Sequence, residues 1–505
     1  MRKRARKIQV RGVLLPVPFR AGVLATPRAA AGARRASLKR IQVRRVLPLI
    51  GVLAVLALGT AQAGTVDGYE WPPDPKRFDP PGTEVAPGLK VGDTLTSANA
   101  ERAKDLLPPE VLSHYQKDEY QNPIVSWPPR IIHWDHSFED STKQNEGKYG
   151  LGPEGAIVEK ASGQPPQYVY GHPFPTVAPD DPQGGLKALW NAFHNYWNIG
   201  SYNFNALIVW TGPKKAERQS LQDVYFNFYE NQAEKYRLPN PQNFSWQSLA
   251  ASKTPADLQG TVALSYRYRD AAQRDAVWTY VPALRRVRAV SPSNRSDGFL
   301  GSDLSQDDGN FFDAKVEDFT WKTIGLRDGL RMVDPYSVKG EGGPLTPVPT
   351  GGWRQDWPLD VPAAGFQKDG WTGVGWAPVS GALAKRKFWL VEGVPHDRYY
   401  LYGKIELWID AESWIGAWNR KFSWKGEVLN TYQVYGYLNH PAPVPGGGHE
   451  WFWSSQAAWQ CAEALKHDRA TLAGLRGDKS LPFDRRVSLK VDQLFDVNTL
   501  SRFGK

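Results

Sequence analysis

The sequence predicts an α+β chain built mainly on antiparallel strands. Three observations carry the prediction. Residues 261–304 begin with strict alternation: Val262, Leu264, Tyr266 and Tyr268 share one parity, while Ser265, Arg267 and Arg269 take the other. That is the two-residue period of a strand with one buried face. Residues 401–438 repeat the pattern as strand, short turn, strand, short turn, strand. The clearest helical period lies instead at residues 182–197, where Leu186, Leu189, Trp190, Phe193 and Trp197 fall on one face.

Taken in order, the chain opens with a basic leader. Residues 1–45 hold 14 Lys or Arg and no acid, so removing them from the net charge of +10 leaves −4 for the rest. The basic balance therefore belongs to the leader and does not point to nucleic acid. Residues 46–58 are uncharged and mostly apolar, too short for a membrane span. Ala61-Gln62-Ala63 follows as a small-x-small cleavage pattern, so the stretch reads as a signal peptide cut after Ala63, with a periplasmic destination. The unusual length of the leader suggests that translation begins near Leu38, and Arg34-Arg35 leaves twin-arginine export beside the general route. A single cysteine, Cys461, permits no intrachain disulfide and reads as an inert buried thiol.

The expected organisation is a leader at 1–63, a Pro-rich segment with short helices at 64–172, and a sheet domain at 173–505, with the last two able to form one unit. In the Pro-rich segment Ser97 caps a short helix over 98–107, and Pro109 starts another turn or two. Asp181 then serves as N-cap with Pro182 at the first helical position. Residues 202–210 and 223–229 are strand-like. The meander of 262–268, 277–281 and 284–290 follows. Residues 340–381 read as a Gly- and Pro-rich loop with exposed Trp353, Trp357, Trp371 and Trp376. A second β block starts at 386–391, residues 457–467 read as a helix, and 496–503 as a last turn.

Two stretches invite a metal reading, and neither satisfies it. His133 and His136 lack a third and fourth ligand nearby. Residues 301–309 (GSDLSQDDG) look slightly like a calcium loop, but the glycine is displaced and no bidentate Glu closes it. Turn chemistry by Asp and Ser is the plainer reading. No metal or other cofactor is called. The sequence shows no G-x-S-x-G, P-loop, Rossmann glycine pattern or HExxH, so no catalytic residue is named.

Several stretches resemble one family. They are KVGDTLTSANAERAKDLLPPEV (90–111), GHPFPTVAPDDPQGGLKALWN (171–191), YRYRDAAQRDAVWTYVPALRRVR (266–288) and SNRSDGFLGSDL (293–304). In this order they are similar to the exported Gram-negative family known as domain of unknown function 1329. The resemblance implies a fold like that of the lipoprotein carriers LolA and LolB: a large antiparallel sheet curled into an incomplete barrel, with helices covering the concave face. The unit Leu407 to Trp414 (LWIDAESW) looks like the strand–turn–strand of such sheets. The resemblance implies no catalytic residues.

The leading functional expectation is a non-enzymatic periplasmic carrier or chaperone for a lipid or other hydrophobic small molecule, held in a dry hollow. An inner-membrane transporter or outer-membrane protein is the natural partner. Candidate ligand-binding residues are Trp190, Phe193 and Trp197 on the helix, and Tyr266, Tyr268, Trp278 and Tyr280 on the meander. Arg285, Arg286 and Arg288 are candidates for an anionic headgroup. Two other classes compete: an exported hydrolase-type enzyme, and a binding protein for an anionic ligand. Against the latter stands internal pairing of the Arg-rich stretch with Asp270, Asp275, Asp297 and Asp303.

Overall fold

Alternating strands dominate the computed structural model. It describes residues 64–504 apart from 198–199, 310, 341–344, 350–351, 356–360, 437–440, 452–456, 475–482 and 486–488. The leader, its cleavage site and Trp357 lie outside the described residues, as does the side chain of Trp197.

The first meander comprises β1 (Tyr202–Thr211), β2 (Ala216–Phe228), β3 (Phe244–Ser252), β4 (Val262–Tyr268), β5 (Ala276–Val281) and β6 (Arg286–Val290). The second comprises β7 (Phe319–Val333), β8 (Ala382–Pro395), β9 (Lys404–Asp410), β10 (Gly416–Phe422), β11 (Val428–Gly436), β12 (Ala457–Ala464) and β13 (Arg469–Ala473). Each strand pairs antiparallel with the next within its meander. The first strand of one meander then pairs with the last of the other, β1 with β13. The result is one sheet in the order 6-5-4-3-2-1-13-12-11-10-9-8-7. It stays open: among the described residues, β6 pairs with no long strand but β5, and β7 with none but β8.

This order has a consequence for the chain. β6 and β7 are consecutive in sequence but lie at opposite edges, so the connection between them, residues 291–318, must cross a face. It crosses the same face as helix α3 (Gly184–Trp197). Gly301 lies against β1 through the Trp210 indole, Asp303 against Arg469 on β13, and Gly309 accepts from Tyr432 on β11 at 2.8 Å. Phe311 seats where Gly416 leaves room: a Cβ there would lie 1.9 Å from the Phe311 ring. We call this the inner face.

The opposite, outer face is covered by residues 85–124 and by the C-terminal turns. Residues 85–124 pack Val111, Tyr115 and Tyr120 against Trp418, Tyr435 and Trp459 of the second meander. This segment includes α1 (Pro109–Gln116), started by its proline as expected, whereas the helix expected over 98–107 is only a 3-10 turn, Ala100–Ala103; α2 (His136–Gln144) follows it in the chain. The C-terminal turns, Val491–Leu494 and Val497–Gly504, pack Phe495 and Leu500 against the first meander.

Three local expectations are corrected. Residues 457–464 are strand β12, not helix, because pairing with β11 and β13 overrides the helix propensity of an Ala-rich stretch. Helix α3 begins at Gly184; Asp181 instead caps the preceding turn through the Gln183 amide, 2.8 Å away. Trp353 and Trp376 are buried, not exposed, and Trp371 is half-buried. Cys461 is buried on β12.

Candidate ligand-binding cleft

Helix α3 is seated on β8 by two glycines. A Cβ on Gly184 would lie 2.3 Å from the Trp389 ring, and one on Gly185 would lie 2.9 Å from Val391. Leu186, Leu189 and Phe193 join Trp389, Val391 and Leu407 in the inner-face core. Along one flank of the helix a cleft of about 330 Å³ opens. Trp190, Phe193 and His194 form one wall; Tyr268, Arg269 and Asp270 at the end of β4 form another, and Lys315 to Glu317 of the crossing connection a third. The Trp190 indole donates to the Gly155 carbonyl at 2.8 Å, which fixes its ring beside Phe193 at 6.0 Å.

Charges on these walls are organised. Arg269 pairs with Glu230 and donates to the Pro166 carbonyl at 3.0 Å. Lys315 donates to the Asp270 and Gln273 carbonyls and so ties the crossing connection to the β4–β5 turn. Burial lowers the Lys315 ammonium below the usual lysine range and raises the Glu317 carboxyl above the usual glutamate range.

Below the cleft the expected dry hollow gives way to a buried ion network. Arg267 pairs with Asp275 at 2.7 Å and Asp313 at 3.2 Å, and Arg295 pairs with Asp307 at 2.7 Å. Both guanidiniums lie over the Trp246 ring, 4.8 and 5.8 Å from its centre. Lys421 pairs with Asp308. Burial pushes the Asp313 carboxyl up to about 6, against the pull of Arg267 and Arg295. The physical reason for the polar interior is topological. The crossing connection must bring its polar backbone through the inner face, and its acids are matched there by its own Arg295 and by Arg267, Lys421 and Arg469 of the sheet.

The proposed site residues fall in different places. Trp190, Phe193 and Tyr268 line the cleft. Tyr266, Trp278 and Tyr280 sit on the outer face instead, beneath the C-terminal turns. There the Tyr266 ring meets Trp278 at 4.9 Å, and its hydroxyl donates to the Phe495 carbonyl. Arg285, Arg286 and Arg288 lie exposed at the β5–β6 turn and the sheet edge, with no ion-pair partner among the described residues. Within the same Arg-rich stretch, Arg267, Arg269, Arg274 and Arg295 are all paired. Reading the aromatic parity as the ligand face is what separated the meander residues from the cleft. The signal that reaches the inner face is the opposite parity, Ser265 and Arg267, which continues to the cleft at Arg269. Lys315 and Glu317 carried no sequence signal, because only the strand order brings them to β4.

The metal stretches are also accounted for. His133 and His136 both stack on Tyr69, at 4.5 and 4.3 Å between ring centres. The acids of 301–309 are taken by Arg469, Arg295 and Lys421. Among the described residues no group of three or more metal-ligating side chains gathers.

Comparison with solved structures finds an outer membrane lipoprotein-sorting protein domain, so described, from Vibrio parahaemolyticus. It is 15% identical, covers 61% of this chain and 96% of that one, and has a TM-score of 0.38. A DUF1329 family protein from Desulfovibrio piger is 16% identical, covering 64% and 100%, at a TM-score of 0.39. A LolA superfamily protein from Nitrosomonas europaea is 14% identical, covering 62% and 97%, at 0.34. No curated protein matches. A model of one family matches residues 94–500, nearly the whole described chain, and the protein belongs to that family: protein of unknown function, DUF1329.

Proposed function

We propose that the chain is a non-enzymatic, exported carrier that shelters the apolar part of an amphiphile in the cleft beside α3. The cleft itself carries the reading: about 330 Å³, with Trp190 and Phe193 on one wall and Arg269, Lys315 and Glu317 on the others. That volume is at the small end of ligand pockets, which run from about 300 to 1,000 Å³. It suits a single acyl chain or a compact hydrophobe rather than a whole diacyl lipid. Each methylene buried contributes about 0.8 kcal/mol, so a chain of modest length binds without a dedicated polar contact. The charged walls give an amphiphile's polar end somewhere to emerge. Export rests on the leader pattern at 46–63, and a periplasmic site of action follows from it.

The test is displacement of a fluorophore-labelled fatty acid from the mature protein, together with organic-solvent extraction and mass spectrometry of what co-purifies. Ala271 stands half-buried at the cleft wall. Ala271→Trp is expected to block the labelled ligand while leaving the circular dichroism spectrum unchanged. Equal binding by wild type and Ala271→Trp, or none by either, removes the cleft from the function.

A further inference from the structure

One end of the sheet carries a cluster of large apolar side chains in water. Tyr399 is 90% exposed, Leu401 45% and Trp424 51%. They belong to two neighbouring connections, β8–β9 and β10–β11. The Trp424 indole donates to the Tyr400 carbonyl at 3.1 Å, and the Gly403 amide to the Phe422 carbonyl at 2.9 Å. Trp424 is therefore held beside the very backbone that displays Tyr399 and Leu401. Its one polar atom is already satisfied within the protein.

The polar surroundings hold more free cations than free acids. Arg398 and Lys425 are exposed and have no ion-pair partner among the described residues. Two nearby acids are engaged: Glu427 with Lys466 at 2.5 Å, and Asp397 with Arg274 at 3.1 Å and the Ser293 hydroxyl at 2.6 Å. A third, Asp297, is exposed, accepts from Asn294 at 2.9 Å and follows the Ser296 whose hydroxyl accepts from the Leu401 amide. A solvent-facing Trp, Tyr and Leu flanked by free cations match the boundary between hydrocarbon and anionic headgroups. A protein partner fits less well. A stable interface needs about 800 Å² from each side, and this is a narrow tip formed by two turns.

We propose that the Tyr399–Leu401–Trp424 tip docks the protein on an anionic lipid surface. The tip is tied to the cleft end of the molecule. Asp397 holds Arg274, in the same turn as the cleft residues Asp270 and Ala271, and the His396 amide donates at 2.9 Å to the carbonyl of Asp318, next to Glu317. Docking by the tip brings the cleft to the membrane, the arrangement a carrier needs to exchange its cargo. The docking stands on the tip alone; only its purpose rests on the carrier reading.

The experiment is co-sedimentation of the mature protein with phosphatidylcholine vesicles, with and without phosphatidylglycerol. Expected is binding that requires phosphatidylglycerol and weakens with salt. Tyr399→Ser with Trp424→Ser is expected to lower the bound fraction at least about tenfold, and Arg398→Glu with Lys425→Glu to abolish the preference for the anionic lipid. Tyr399→Ser alone, at so exposed a position, guards against a folding artefact and is expected to weaken binding in the same direction. Vesicle binding unchanged by these variants, no binding at all, or self-association that the double serine variant abolishes would each overturn the proposal. Displacement of the labelled fatty acid in vesicle-free solution is expected to be the same in tip variants and wild type, so failure of docking and failure of the cleft are read separately.

Discussion

Arg267 and Asp275 meet across the β4–β5 hairpin, Nη2 to Oδ2 at 2.7 Å, with side chains only 6% and 4% exposed. A pair so sealed is costly to break, because removing one partner leaves the other charged and without water. Arg267→Met leaves Asp275 only its longer pair with Arg295, at 3.5 Å, and weakens the hold on Asp313. Urea unfolding is expected to show a loss of about 3–5 kcal/mol. Arg286→Ser and Arg288→Ser, at the exposed edge, are expected to stay within about 0.5 kcal/mol of wild type. The contrast separates arginines that build the interior from those that do not, within a single Arg-rich stretch.

Asp410 organises the β9–β10 turn in a similar way. It accepts from Arg386 at 2.8 Å and from the amides of Glu412 and Ser413 at 3.0 and 2.9 Å. Burial alone would raise its carboxyl, but Arg386, Arg331 and the turn amides outweigh this and hold it well below the usual aspartate range. A depressed carboxylate stabilises the fold above its unfolded pKa of 3.8 and loses that contribution as acid protonates it. Asp410→Asn is expected to cost about 3 kcal/mol at neutral pH, with the difference from wild type shrinking as the pH falls below that value. Denaturant midpoints across an acid series measure it.

How much of this was legible in the sequence depends on whether local or distant contacts decide a residue's place. The alternation of Val262, Leu264 and Tyr266 placed β4, and the period of Leu186, Leu189 and Phe193 placed α3, because both patterns are local. Which face of β4 looks inward was not legible. Tyr266 and Trp278 are covered by Phe495, more than two hundred residues away, and that contact exists only once the C-terminal turns have folded back. The crossing connection is legible only in part. The turn chemistry expected of 301–309 is present, with the Ser305 amide donating to Asp308 at 2.7 Å, but the partners Arg469 for Asp303 and Lys421 for Asp308 come only from the strand order. Residues 457–464 failed in the opposite sense: a helix-prone local sequence was overridden by two strand neighbours.

His114 predicts an alkaline sensitivity. It lies buried on α1, with Nδ1 2.7 Å from Glu119 and Nε2 2.9 Å from Glu463 on β12. Burial opposes its charge, but the two carboxylates outweigh burial and raise its pKa from 6.5 to about 9. The sign follows from a folded pKa above the unfolded one. The pin contributes fully below pH 6.5 and is lost as the pH rises through about 9, a change of up to about 3 kcal/mol. Wild-type stability is expected to fall across this window, and His114→Gln to be less stable at pH 6 but with a flatter profile. Hydrogen exchange in residues 109–116 is expected to rise at alkaline pH, since this pin and the Glu110–Arg420 pair hold α1 to the sheet.

Gly184 tests whether the seat of α3 controls the cleft. Its backbone is not in the left-handed region, so alanine is allowed there, and helix propensity by itself would favour alanine by at most about 1 kcal/mol, the value for a helix interior. The obstacle is steric. A Cβ would lie 2.3 Å from the Trp389 ring, which is only 1% exposed and packed in the inner-face core, so neither side has room to yield. Overpacking of this kind costs about 1–3 kcal/mol, and Gly184→Ala is therefore expected to destabilise despite its propensity gain. Because the helix must lift to admit the methyl group, Trp190 and Phe193 shift with it, and the affinity for the labelled fatty acid is expected to fall along with stability. A variant that gains stability would mean Trp389 can rotate away. One that loses stability but keeps wild-type affinity would mean that the cleft is set by β4 and residues 314–317 rather than by the helix.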